Sequence, residues 1–222
     1  MTVELDHLFI WTFHGAPEAE RLIAFGLTEG APNHHSGQGT ANRRFFFQNA
    51  MLELLWIENA AEAQSEGIGR VQLWERWLAR GNRASPFGIG LRPTDPKRAD
   101  APFPAWEYRP PYLPDPLVIH IGADTPLSEP IWFYLAFARR PDSGPVEKRP
   151  PLDHPIGFRE MTGVRLTRPA AQPLSAVGEA DMRAGVISIL PGKEHLIEVI
   201  FDGHRKGRHA DFRPDLPLIF RW

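Results

Sequence analysis

The feature that most constrains this chain is the stretch from Gly37 to Glu58, which reads GQGTANRRFFFQNAMLELLWIE. Arg43 to Phe47 is an aromatic run with basic residues at its start, and Met51 to Ile57 is an apolar run. Gln48-Asn49-Ala50 between them is a turn-sized break. Two β-prone runs joined in this way predict an antiparallel hairpin. The second run holds one carboxylate, Glu53, among residues fit for burial. A buried charge is expensive unless it is paired, hydrogen-bonded or bound to a metal. Glu53 therefore either points at solvent or has a partner to find.

The residues before the hairpin extend it into a β-α-β-β-β order. Val3 to Thr12 reads as a strand carrying His7 directly after Asp6. Ala16 to Phe25 reads as a helix, with Pro17 in the first turn, Glu18 and Glu20 at the positive end and Gly26 as the stop. Leu27 to Gly39 holds a short strand, then a glycine-rich loop with the pair His34-His35. Adjacent strand side chains point to opposite faces, so at most one of that pair faces inward. Beyond the hairpin, Ile68 to Arg80 has near-helical apolar spacing, which predicts an amphipathic helix packing Trp74 and Trp77 on the sheet. Short strands follow at Pro86 to Arg92, Leu117 to Gly122 (carrying His120) and Pro130 to Ala138. Most of the 23 prolines fall in this half, which predicts extended connections and edge-like strands.

Composition sets the outer bounds. At 222 residues the chain has room for one well-cored domain or two fused modules. A formal net charge of −2 gives no reason to expect nucleic acid or an anionic membrane as partner. The chain has no cysteine, which excludes disulfides and thiolate sites and fits a reducing, cytoplasmic setting. No apolar run reaches the ~20 residues of a membrane span. The run 130–138 either covers the core or forms a homodimer contact, and the pattern leaves both open.

The hairpin has an echo. Val186 to Leu190 and His195 to Phe201 flank Pro191-Gly192-Lys193-Glu194, and Ile197-Glu198-Val199 parallels Leu52-Glu53-Leu54. Upstream, Phe158 to Thr167 reads as a strand like Val3 to Thr12, with Gly163 opposite His7 in that alignment. A rival alignment sets Leu5-Asp6-His7 against Leu152-Asp153-His154. A glutamate at the same place in two hairpins suggests a duplicated unit.

LDHLFIWT, GAPEAERLIAFGL and GQGTANRRFFFQNAMLELLWI together resemble the vicinal oxygen chelate superfamily, whose members include glyoxalases, extradiol dioxygenases and bleomycin-resistance proteins. The likeness is to its glyoxalase-like branch. It is good over 3–57, fair over 158–202 and poor over 85–150. It implies an α+β fold in which paired βαβββ modules form a curved, barrel-like mixed sheet with helices outside. The expected division is 1–58 for the first module, 59–84 for a connecting helix, 85–157 for a strand-rich, proline-rich intervening region, and 158–222 for a second, shortened module with the tail.

The resemblance also implies metal ligands on the first and last strands of each module: His7 and Glu53, then Glu198, with Gly163 where a fourth is expected. His120 is a candidate replacement for that fourth ligand. A divalent ion (Fe, Mn, Ni or Zn) suits such donors. The expected activity is metal-dependent lyase, isomerase or dioxygenase chemistry on a small oxygenated molecule, with Glu53 or Glu198 as a base. Thr40, Asn42, His35 and Arg43 are the ligand-binding candidates. The alternative is a metal-free protein that binds a small planar ligand in a cavity lined from the seven tryptophans and fourteen phenylalanines.

Overall fold

A computed structural model describes residues 2–97, 100–169 and 173–222. The fold is α+β, with thirteen strands divided between two curved sheets. β1 (Val3–Trp11) leads into α1 (Ala19–Phe25), which stops at Gly26 in the left-handed region (φ 110°), its N–H returning to the Ile23 and Leu22 carbonyls. β2 (Gly30–His35), β3 (Thr40–Phe46) and β4 (Met51–Ile57) complete the first unit, and β3 and β4 form the expected antiparallel hairpin. The expected helix over 68–80 is divided. α2 (Ala60–Ala63) and α3 (Glu66–Gly69) precede α4 (Leu73–Leu78), and Gln72 breaks the run at φ 61°.

The second half of the first sheet comes from the strands expected within 85–157. β5 (Phe87–Pro93), β6 (Ala105–Tyr108), β7 (Ile119–Gly122) and β8 (Ile131–Tyr134) extend the sheet to eight strands in the order β2-β3-β4-β1-β5-β8-β7-β6. β1 runs parallel to β4, and β5 runs parallel to β8. The pseudo-repeat is thus 3–57 against 87–134. The proline-rich stretch 85–157 is its second half, not an intervening region. Its prolines fall mainly in the connections. The sheet curves without closing into a barrel.

Residues 161–221 form a separate sheet from β9 (Met161–Pro169), β10 (Ile187–Gly192), β11 (Leu196–Phe201), β12 (His209–Asp211) and β13 (Leu218–Arg221), ordered β10-β9-β11-β13-β12. α5 (Ala176–Ala184) connects β9 to β10. The expected hairpin of 186–201 does not form, because β9 lies between β10 and β11 and pairs with both. β11 is antiparallel to β9, whereas β4 is parallel to β1, so the likeness of the two glutamate strands is local.

β1 is buried on both faces, which explains its near-continuous apolar sequence. Leu8 and Ile10 join a core that includes Val164, Leu166, Phe201 and Phe220 of the second sheet. Phe9 and Trp11 join another with Leu55, Ile57 and Phe133 on the opposite, concave side. Among the described residues no helix is long and apolar enough to cross a membrane.

Candidate functional site

The concave side of the eight-stranded sheet encloses a cavity of about 370 Å³. Register brings its polar residues together. His7 and Phe9 of β1 lie beside Met51 and Glu53 of β4, and Arg44 of β3 lies beside Glu53 on the other side. Successive strand residues alternate faces, so His7, Glu53 and Arg44 line one wall, and His35 joins them from β2. The facing wall is apolar, with Ile119, Ile121, Ile131 and Phe133.

Glu53 is only 7% exposed and makes no hydrogen bond among the described residues. His7 is its main electrostatic companion. The His7 Nδ1–H donates to Asp6 Oδ2 at 2.6 Å, which leaves Nε2 as the free ring nitrogen. Asp6 is held in turn by Arg92, a 1% exposed residue that also bonds Glu4 and the Asn49 carbonyl. Burial alone would lower the His7 pKa, but the charges of Glu53 and Asp6 outweigh it and raise the value above 6.5. Burial alone would raise the pKa of Asp6, but His7 and Arg92 bring it below 3.8. Burial lowers the pKa of His35, which keeps that ring neutral. The His35 ring packs 4.7 Å from that of Tyr112, and burial with the charge of Glu53 raises the Tyr112 pKa.

The other ligand-binding candidates take different places. Thr40 is buried and pairs with His35 Nδ1 at 2.8 Å, supported by Gln38, which Tyr108 holds. Asn42 is fully buried and accepts from the Asn33 N–H. Both lie on the Arg44 face of β3, buried and hydrogen-bonded beside the cavity. Arg43 is a correction: it lies on the opposite face and pairs with Glu29 and Glu20. Arg44, one residue on, is the arginine that lines the cavity. Counting the alternation back from Glu53 across the hairpin would have found it. Asp6, Arg92 and Tyr112 carried no comparable sequence signal, since their roles arise from pairing across 86 residues and from a loop.

Glu198 is a second correction. It lies on β11 in the other sheet, ion-paired with Arg221 and 4.0 Å from Arg165. Gly163 pairs with Ile200 in that same sheet. His120 alternates with the cavity-lining Ile119 and Ile121 and so points away from the cavity. His154 is a structural pin: Thr28 N–H donates to its Nδ1, and its Nε2–H donates to the Phe46 carbonyl, both at 2.9 Å.

The residues present do not fit the three- or four-ligand metal site that the fold implies. Among the described residues no three His, Cys, Asp or Glu side chains are grouped to hold an ion. The parallel pair β5–β8 should mirror His7 and Glu53, but it offers Gly90 opposite His7, with Phe133 beside it. A Cβ on Gly90 would lie 2.6 Å from the Phe133 ring and 3.1 Å from the His7 ring, so a ligating side chain has no room there.

No curated protein matches the chain. A hypothetical protein from Staphylococcus aureus, known from its crystal structure, is similar over 99% of this chain and 98% of its own, at 12% identity and a TM-score of 0.49. A family model described as a glyoxalase-like domain matches residues 5–176, which takes in all eight strands of the first sheet. The chain therefore belongs to the glyoxalase-like domain family, within the vicinal oxygen chelate superfamily.

Proposed function

We propose that this protein is a metal-independent glyoxalase-like cup that binds a small planar molecule and receives one of its hydroxyl or amine hydrogens on Glu53. The observation that carries the reading is the Glu53 carboxylate, which lines the cavity from a residue 7% exposed and makes no hydrogen bond among the described residues. A donor on the ligand gives that acceptor a partner. The apolar wall of Phe133, Ile119 and Ile121 takes the body of the molecule. Arg44 offers positive charge, and His7 a ring nitrogen whose pKa is raised by Glu53 and Asp6, to a carbonyl or oxyanion next to the donor. Phenols, catechols and 2-hydroxycarbonyl compounds have this pairing of donor and oxygen.

The Asp6–His7 pair favours a second step on the same ligand. With Nδ1 committed to Asp6, His7 can donate a proton from Nε2 while Glu53 accepts one. This is the proton bookkeeping of an isomerase or lyase, carried by protein side chains alone.

The test is calorimetric binding of catechols and 2-hydroxycarbonyl compounds with chelator present, to the native chain and to Glu53→Gln. Binding that persists in chelator and weakens at least ~10-fold in the variant supports the reading. Binding that requires added Fe²⁺, Mn²⁺, Ni²⁺ or Zn²⁺, or that Glu53→Gln leaves unchanged, refutes it.

A further inference from the structure

The two outer strands of the eight-stranded sheet are β2 and β6, and its curvature brings them together. Three contacts close this seam. The Tyr108 hydroxyl of β6 donates to Gln38 Oε1 at 2.8 Å. Pro111, in the connection between β6 and β7, packs on Gly37, where a Cβ would lie only 2.8 Å from the proline ring. The Tyr112 ring packs 4.7 Å from that of His35. The seam therefore sets Tyr112 beside His35 on the cavity wall that also holds Glu53.

The two tyrosines of the seam differ in what their hydroxyls can still do. Tyr108 is 4% exposed, and its hydroxyl hydrogen is spent on Gln38. Tyr112 is half-buried, its hydroxyl keeps accessible surface, and it makes no hydrogen bond among the described residues. His35 Nδ1 is not its partner, because that nitrogen pairs with Thr40 at 2.8 Å. Burial, and then the charge of Glu53, hold the Tyr112 pKa above its ordinary 10, so the phenol keeps its proton. That influence also places the carboxylate within electrostatic reach of the hydroxyl. An ionised carboxylate can only accept, and a protonated phenol can donate. Glu53 and Tyr112 thus present an acceptor and a donor to one cavity, and neither is taken up by the protein.

We propose that Tyr112 is the specificity-determining residue of the cup, donating its hydroxyl hydrogen to a carbonyl oxygen on the carbon next to the ligand's hydroxyl. Tyr112 acts here on the ligand whose hydrogen Glu53 accepts, so the assignment rests on that reading of Glu53 and narrows its ligand class to 2-hydroxycarbonyl compounds. A simple alcohol satisfies Glu53 and leaves Tyr112 without an acceptor.

The probes are 2-hydroxyacetophenone, which has both groups, and 2-phenylethanol, which keeps the ring and the hydroxyl and has a methylene in place of the carbonyl. Calorimetry measures both with the full native chain, with Tyr112→Phe and with Glu53→Gln. The native protein should bind 2-hydroxyacetophenone at least ~10-fold more tightly than 2-phenylethanol, the equivalent of one net hydrogen bond. Tyr112→Phe keeps the ring against His35 and should erase that preference, with 2-phenylethanol binding changed by less than ~2-fold. No saturable binding of 2-hydroxyacetophenone, no native preference, a preference that Tyr112→Phe leaves intact, or an equal loss of both compounds in that variant overturns the proposal. Glu53→Gln should weaken both compounds, and it reports on the other reading by itself: unchanged binding of both refutes Glu53 as the acceptor, whatever Tyr112→Phe does to the preference.

Discussion

Replacing Arg92 by methionine tests the support beneath His7. Arg92 is 1% exposed and makes three contacts: Nη1 with Asp6 at 3.0 Å, Nε with Glu4 at 2.9 Å, and Nη2 with the Asn49 carbonyl at 2.6 Å. Methionine keeps much of the side chain's length, so little of the loss is cavity formation. The Glu4 side chain is a third exposed, and its share is discounted for solvent screening. The Asp6 side chain is only 12% exposed, and the substitution leaves it charged with His7 as its one remaining partner. Removing one member of a buried ion pair costs about 3–5 kcal/mol. Against a denaturant slope of ~2 kcal/mol/M, that lowers the urea midpoint by roughly 1.5–2.5 M. The assay is urea unfolding at pH 7, followed by tryptophan fluorescence, with Asp6→Asn and the double variant completing a cycle. The linkage sign follows from the low pKa of Asp6. Its contribution is present above the unfolded value of 3.8 and is lost as pH falls through the lower folded value. The gap between native and Arg92→Met should therefore narrow in acid. A loss under ~1 kcal/mol at pH 7, or a gap that does not change with pH, refutes the idea that Arg92 stabilises a charged Asp6.

Other perturbations read neighbouring parts of the same physics. The pKa of His7 is raised above 6.5, so its contribution is complete below 6.5 and lost as pH rises through the folded value; Glu53→Gln should flatten that part of a stability–pH curve. Glu53→Leu should raise stability by about 1–2 kcal/mol at pH 8 in urea unfolding while abolishing binding in the cup, since it exchanges an unsatisfied buried carboxylate for an apolar side chain. Gly90→Ala should cost about 1–3 kcal/mol by overpacking and shift the His7 ring resonances in NMR, because its Cβ meets both Phe133 and His7. Asp181 is fully buried with neither carboxylate oxygen partnered, and burial beside Glu129 raises its pKa to about 8 from 3.8. Stability should therefore fall between those values as pH rises, and Asp181→Asn should remove that fall in thermal melts at pH 5 and pH 9.

The first unit was legible because its signals are local. The hairpin, the Gly26 stop and the spacing of His7 and Glu53 each depend on a few adjacent residues. In the second unit the individual strands β5, β7 and β8 were legible, but their assembly was hidden, because β6, β7 and β8 are four residues each and proline-rich connections separate them. Glu198 misled for a related reason. A glutamate after a tight turn looks the same whether its strand pairs parallel or antiparallel with the first strand, and only the pairing decides which face meets which neighbour. Arg43 and Arg44 show the narrowest margin, since one step of alternation separates a surface ion pair from the cavity wall.

Saturation of hydrogen bonds separates scaffold from site more sharply than burial does. Glu129 is fully buried, and both its oxygens are occupied: the Ser175 N–H and hydroxyl donate at 2.7 Å, with Trp132 Nε1 at 3.4 Å. That carboxylate ties α5 to the first sheet and has no capacity left for a ligand. Glu53 is nearly as buried and has every lone pair open toward a cavity. The protein has already met the desolvation cost of Glu53 by folding, with His7 and Arg44 offsetting part of it through space. A ligand donor arriving there meets an acceptor on a largely buried residue, where a hydrogen bond contributes more to binding than the same bond would at the surface. The apolar wall of Phe133, Ile119 and Ile121 strengthens this effect, because it offers no competing polar partner. Gly90 and Phe133 on one side and the His7–Glu53 pair on the other are therefore two parts of one arrangement. It favours a neutral or weakly acidic ligand that brings its own proton.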